Sequence, residues 1–218
     1  MSNFIKETCL YQTIKRKYKN IFTYSNKVPR IAIKEKILFI HVPKAAGSTV
    51  SLNLYGVQIG HKKAKDYFIS DSVGYYKVTA FAFVRDPIAR FESAYYYLKS
   101  GGMDSGDRNT KSKYIDKYSD INEFVSFVDE EFINSGEVIH FLPQHEYIYY
   151  DNTCIVDKVF KLERIEDVDF KKEIGISLDL SKKNVSEREN TSLLNERSIN
   201  KLKLLYEKDF YLFGYNLK

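Results

Sequence analysis

The stretch KILFIHVPKAAGSTV, Lys36 to Val50, decides the fold. Ile37 to Val42 is a continuous run of apolar β-formers, the pattern of a strand covered on both faces in a parallel sheet. Pro43 and Lys44 stop the run, and the small residues Ala45, Ala46 and Gly47 follow at once. From Ser48 to Tyr55 a hydroxyl residue can cap a helix that turns Val50 and Leu54 inward. Small residues between a strand and a helix let the backbone wrap closely around an anion. The helix start adds unpaired N–H groups and its positive dipole end, and Ser48 and Thr49 add hydroxyl donors. This is not a Walker A loop, which places its lysine directly after its second glycine. Here Lys44 precedes Gly47 and the first glycine is absent. Taken alone, PKAAGST reads equally well as a tight strand-to-helix connection with an exposed lysine.

A second strand carries the same kind of turn. KVTAFAFV, Lys77 to Val84, runs straight into RDPIARFESAYYYL, where Asp86 is a natural N-cap and Pro87 a natural first helical residue. In an open parallel sheet, ligands bind beyond the carboxyl ends of the strands, and Arg85 sits at such an end. On the following helix Arg90, Ser93 and Tyr97 share one face, with Ile88, Phe91, Tyr95 and Leu98 on the apolar face beside it. An arginine and a helix-borne serine can grip a second phosphate through charge-assisted hydrogen bonds. Equally, Arg85 can pair with a carboxylate and Ser93 can be a small packing residue.

Farther along, Ile121, Phe124, Val125, Val128 and Phe132 recur at helical spacing in a longer helix expected from Ser119. DKVFKLE, Asp157 to Glu163, alternates like a strand, and INKLKLLYEKDF, Ile199 to Phe210, is amphipathic and ends near Gly214. KSGGMDSGDRNTKSK, Lys99 to Lys113, reads as a mobile surface loop or lid. Strands alternating with helices predict an α/β fold, a three-layer sandwich with a central parallel sheet.

At 218 residues, 44% hydrophobic and 29% charged, the chain can bury one sizeable core and does not have the composition of a disordered protein. Its net charge of +5 is unevenly spread: residues 1–36 hold nine basic and two acidic side chains, and the remainder carries 25 basic against 27 acidic. The expected organisation is a basic N-terminal extension over 1–36 and a single domain over 37–218. A basic arm such as KRKYK, Lys15 to Lys19, suits an anionic surface, but a short charge run is also an ordinary solvated face, and no nucleic-acid partner is expected. Cys9 and Cys154 are too few for a disulfide framework. His140 and His145, five apart, fall on different faces of a helix, and no cysteine–histidine quartet accompanies them, so no metal is expected. With no apolar stretch long enough to span a bilayer and no signal-peptide core, the expectation is a soluble, cytoplasmic protein without an integral membrane segment.

These segments resemble those of the carbohydrate sulfotransferases of the family-2 type, which use 3'-phosphoadenosine 5'-phosphosulfate (PAPS). FIHVPKAAGSTV is similar to their 5'-phosphosulfate loop and FAFVRDPIARFESAYYYL to their 3'-phosphate motif. GHKKAKDYF, Gly60 to Phe68, resembles the segment carrying their catalytic histidine, and LPQHEYI, Leu142 to Ile148, their Pro-Gln stretch. VFKLERIEDV, KNVS and LYEKDFYLFGY come next in the family's order, so the resemblance runs from about Ile37 to Tyr215. Many members carry Thr or Cys and then Gly or Ala where this chain has Ala45 and Ala46, so one side-chain donor of the family loop is absent here.

The resemblance implies a P-loop NTPase-like sulfotransferase fold, PAPS as co-substrate, no metal, and a glycan or polysaccharide acceptor. It places Lys44 at the leaving phosphate as electrophilic catalyst. Lys44, Ala45, Ala46, Gly47, Ser48 and Thr49 then hold the 5'-phosphosulfate, and Arg85 and Ser93 the 3'-phosphate. His61 becomes the general base, as an imidazole titrating near neutral pH can be. Asn184 and Ser186 are expected to close over the nucleotide, with Arg188 a further phosphate contact; an ordinary polar loop is the alternative for all three. His41 is expected to be a hydrogen-bonded core residue, and His140 and His145 are candidates for the acceptor side. The competing classes are a P-loop-like nucleotide kinase, which would want a Walker lysine, and a non-catalytic glycan- or nucleotide-binding protein of the same fold.

Overall fold

A computed structural model describes residues 27–178, 180 and 192–217. The elements run α1 (Arg30–Glu35), β1 (Ile37–Ile40), α2 (Gly47–Tyr55), α3 (Ala64–Ser70), α4 (Ser72–Tyr75), β2 (Thr79–Val84), α5 (Pro87–Lys99), α6 (Ser105–Thr110), α7 (Ile121–Phe127), α8 (Glu130–Asn134), α9 (His145–Ile148), β3 (Tyr149–Tyr150), β4 (Thr153–Cys154), β5 (Lys158–Lys161), α10 (Phe170–Ile174), α11 (Glu196–Leu205) and α12 (Glu207–Leu212). The chain packs as two compact units. One gathers the described residues up to 42 with 46–83 and the described part of 147–184; the other holds 43–45, 84–146 and the described part of 185–218.

The first unit carries a three-stranded sheet in the order β1-β2-β5. β1 and β2 are parallel, with Ile37 opposite Thr79 and Ile40 opposite Ala82, so both strands run to the same edge of the sheet. All four residues of β1 are buried, as the unbroken apolar run requires of a strand covered on both sides. Phe39 meets Phe81 with ring centroids 5.2 Å apart, Phe83 meets Phe160 at 5.6 Å, and Phe160 meets Phe170 on α10 at 5.3 Å. The β3–β4 hairpin turns on Asp151 and Asn152, whose φ values of 48° and 57° suit the two residue types that best tolerate the left-handed region.

The second unit buries Phe91, Tyr95 and Leu98 of α5 against Phe124, Val125, Phe141, Leu202, Tyr206 and Phe210. α5 begins as the sequence dictates, with the Asp86 carboxylate accepting from the Ala89 N–H and Pro87 in the first turn.

Three segments depart from the sequence reading. The long helix expected from Ser119 is two helices: Val128 is extended, and the Asp129 carboxylate caps α8 by accepting from the Phe132 N–H at 2.8 Å. The apolar period survives the break, since Phe124 and Phe132 still pack with centroids 6.0 Å apart. The stretch from Lys99 to Lys113, read as loop, carries the short helix α6. Gly101 at φ 95° closes α5, the Gly102 N–H reaches back to the Tyr97 carbonyl, and Asp104 caps α6. Near the C-terminus the amphipathic helix is divided at Tyr206, and Gly214 at φ 60° comes just after α12. The sheet is correspondingly small, a mixed set of helices with a parallel strand pair.

Candidate active site

The loop after β1 is built from unusual backbone. Lys44 and Ala46 both adopt positive φ, 66° and 61°, a conformation that costs a non-glycine residue about 1–2 kcal/mol. α2 then starts at Gly47, one residue earlier than expected. Its N-cap is Ala46, and no side chain caps the helix, so the hydroxyl cap anticipated near Ser48 is not formed. An alanine in this place leaves the first-turn N–H groups without the usual serine or aspartate acceptor, the arrangement that favours an external anion. Gly47 is required by close approach: a Cβ there would overlap the imidazole of His41.

His41 and His61 are organised together in the first unit. His41, 6% exposed, donates from Nδ1 to the Ile59 carbonyl at 3.2 Å, the hydrogen-bonded core role expected of it. The half-buried His61 places its Nδ1 3.1 Å from the His41 carbonyl, and the two rings lie 4.0 Å apart. A carbonyl can only accept, so Nδ1 of His61 carries the proton. In the neutral ring this leaves Nε2 with the lone pair that a general base needs.

The second unit fixes the turn after β2. The side-chain amide of Gln144, fully buried, accepts from the Arg85 N–H at 2.9 Å and donates to the Arg85 carbonyl at 2.8 Å. It occupies both backbone groups of Arg85 as a neighbouring strand would. Gln144 is itself held by Asp209, whose fully buried carboxylate accepts from the Gln144 N–H, the His145 N–H and His145 Nδ1, at 2.7, 2.9 and 2.7 Å. Arg85 is thus positioned through its peptide groups, independently of any partner of its guanidinium.

Arg90, on the helix face it shares with Ser93 and Tyr97, is completely buried. Its guanidinium donates to the carbonyls of Leu142 at 2.7 Å, His140 at 3.1 Å and Pro43 at 3.5 Å. It ties the chain just before Lys44 to the Pro-Gln stretch. Two turns along α5, the Tyr97 ring lies beneath Lys44, with Nζ 3.8 Å from its centroid. Ser93, between them on this face, is half-buried.

Of the sequence-derived site residues, Lys44, Ala45, Arg85 and Ser93 fall in the second unit, and Ala46, Gly47, Ser48, Thr49 and His61 in the first. Asn184, Ser186 and Arg188 lie outside the described residues. His140 and His145, each 8% exposed, sit beside Asp107 and Asp209 respectively. Sequence reasoning missed Asp209 and Asp107 and gave no contact to Gln144 in the Pro-Gln stretch or to Tyr97 on the shared helix face, because each touches a residue that no local spacing links to it. Among the described residues there is no group of three metal-ligating side chains and no helix long and apolar enough to cross a membrane.

The chain belongs to the sulfotransferase family, whose model matches residues 30–216, and is of the family-2 type; its activity is therefore sulfuryl transfer. The match opens on α1 and closes just beyond α12. Comparison with curated proteins and with solved structures returned no match.

Proposed function

We propose that the protein transfers the sulfuryl group of PAPS to a hydroxyl of a carbohydrate acceptor, a glycan or polysaccharide, without a metal. The observation that carries this reading is the loop Lys44 to Thr49, where a lysine precedes an alanine-capped helix start pressed against His41. Lys44, Ala45, Ala46, Gly47, Ser48 and Thr49 take the 5'-phosphosulfate, and Arg85 and Ser93 take the 3'-phosphate, with Asn184 and Ser186 closing over the nucleotide. The small sheet and its helices are read as the centre of a three-layer, P-loop-like sandwich.

In the transfer step the acceptor oxygen forms a bond to sulfur while the bond from sulfur to the bridging phosphate oxygen breaks. The acceptor's proton passes to His61 Nε2, and adenosine 3',5'-bisphosphate departs with the electron pair. Charge grows on the bridging oxygen, and the Lys44 ammonium is the group assigned to meet it. Preplaced donors that need no reorganisation carry most of such a reaction. The His41 carbonyl contributes by holding His61 in the tautomer that can accept a proton.

Thermal unfolding with added nucleotide tests the co-substrate, because a ligand that binds only the folded state raises Tm. Adenosine 3',5'-bisphosphate should stabilise the chain in the presence of a chelator, and ATP with Mg²⁺ should do so far less. Equal stabilisation by both would overturn the PAPS assignment in favour of a kinase-like site. Labelled sulfate from PAPS, offered to a panel of neutral and anionic polysaccharides, then identifies the acceptor.

A further inference from the structure

We infer that Tyr97, backed by Asp107, is a positioning residue for Lys44: its ring is the seat on which the lysine ammonium is held at the mouth of the loop. The inference rests on the proposed role of Lys44 and adds the device that places it.

Four observations within the second unit converge on this seat. Lys44 Nζ lies 3.8 Å from the Tyr97 ring centroid, well inside the range at which the negative face of an aromatic ring attracts a cation. The Tyr97 hydroxyl donates to Asp107 Oδ2 at 2.5 Å, a short charge-assisted bond that fixes the ring's tilt and keeps its electron density high. Burial and the adjacent Asp107 carboxylate push the Tyr97 phenol above its ordinary value, so it stays protonated and remains the donor. Asp107 is in turn held from its other side. The Met103 N–H donates to Oδ2 at 2.8 Å, His140 Nε2 stands 3.9 Å from Oδ1, and a Cβ on Gly102 would overlap the Asp107 side chain.

The segment that looked like a lid by its glycines is what delivers Asp107 to Tyr97. A flexible four-carbon lysine stem gains most from such a seat, since it otherwise spreads its charge over many rotamers. The positive φ of Lys44 directs that stem from one end, and the tyrosine receives its charge at the other.

The test combines a spectroscopic signature with affinity for PAPS itself, in the full chain. In the wild-type protein the Lys44 ε-methylene NMR signal should lie upfield of the other lysines because of the ring beneath it, and the signal is assigned by its loss in Lys44→Ala. Tyr97→Leu should return that signal to the ordinary lysine position and weaken PAPS binding about tenfold, equivalent to about 1.4 kcal/mol. Tyr97→Phe, which keeps the ring but not the grip of Asp107, should fall between the two. Adding Tyr97→Leu to Lys44→Ala should weaken binding no further. An unmoved Lys44 signal in Tyr97→Leu, or a Tyr97→Phe chain indistinguishable from Tyr97→Leu, would overturn the seat. Unchanged PAPS affinity in Lys44→Ala would instead remove Lys44 from the donor site, a failure of the functional reading and not of the contact.

Discussion

Replacing Arg90 with methionine tests the strut beneath the loop. The guanidinium makes two well-placed charge-assisted bonds, to the carbonyls of Leu142 and His140, and a longer one to Pro43. Hydrogen bonds to charged groups contribute roughly 1.5–3 kcal/mol each, so the two short bonds represent about 3–6 kcal/mol. Methionine recovers part of this, because it removes the penalty of a buried charge and of Arg90 Nε, which has no hydrogen-bond partner among the described residues. The net loss should be about 2–4 kcal/mol, a large share of the roughly 5–15 kcal/mol that stabilises a typical folded protein. Urea unfolding monitored by circular dichroism reads this directly as a lower midpoint with an unchanged slope. Lysine at this position reaches fewer carbonyls than the planar fork and should fall between wild type and methionine. A loss below about 1 kcal/mol in Arg90→Met would refute the reasoning, since the three carbonyls would then not depend on the guanidinium.

Other variants separate the parts of the site. Gly47→Ala drives a Cβ into the His41 ring, and should cost about 1–3 kcal/mol in a melting experiment while lowering sulfuryl transfer at least tenfold, because His41 also holds His61. Gln144→Met strips both backbone partners from Arg85, and should weaken adenosine 3',5'-bisphosphate about tenfold by calorimetry; unaltered affinity would detach Gln144 from the placing of Arg85. Burial works to raise the Asp107 carboxyl, but the Tyr97 hydroxyl, the Met103 N–H and His140 outweigh it and hold it below its ordinary 3.8. A folded value below the unfolded one means stability that is present above about pH 4 and is lost as pH falls through the folded value. Asp107→Asn should therefore flatten the acid limb of the Tm–pH curve.

Much of the fold could be read from local pattern. The two apolar runs became the parallel pair, and Asp86 with Pro87 opened α5 as their chemistry requires. Patterns failed where a short polar side chain competed with the helix: Asp129 and Asp104 each start a new helix by accepting a backbone N–H. The glycines at 101 and 102 signalled a break correctly but gave no sign of the short helix α6 beyond it. The close approach that requires Gly47 was not legible, because its cause is a histidine six residues earlier that reads as plain core. Gln144 lies 59 residues from Arg85, Asp209 lies 65 from Gln144, and no periodicity spans such distances.

The most direct measurement tracks labelled sulfate from PAPS to a polysaccharide acceptor in wild type and in His61→Ala, with adenosine 3',5'-bisphosphate affinity measured in parallel. Transfer by the wild type, its loss by about 10²–10⁴-fold in the variant, and retained nucleotide binding are the results expected of a general base whose Nε2 takes the acceptor's proton. Transfer at the wild-type rate by His61→Ala, or label passing to no hydroxyl acceptor in the wild type, would contradict the account.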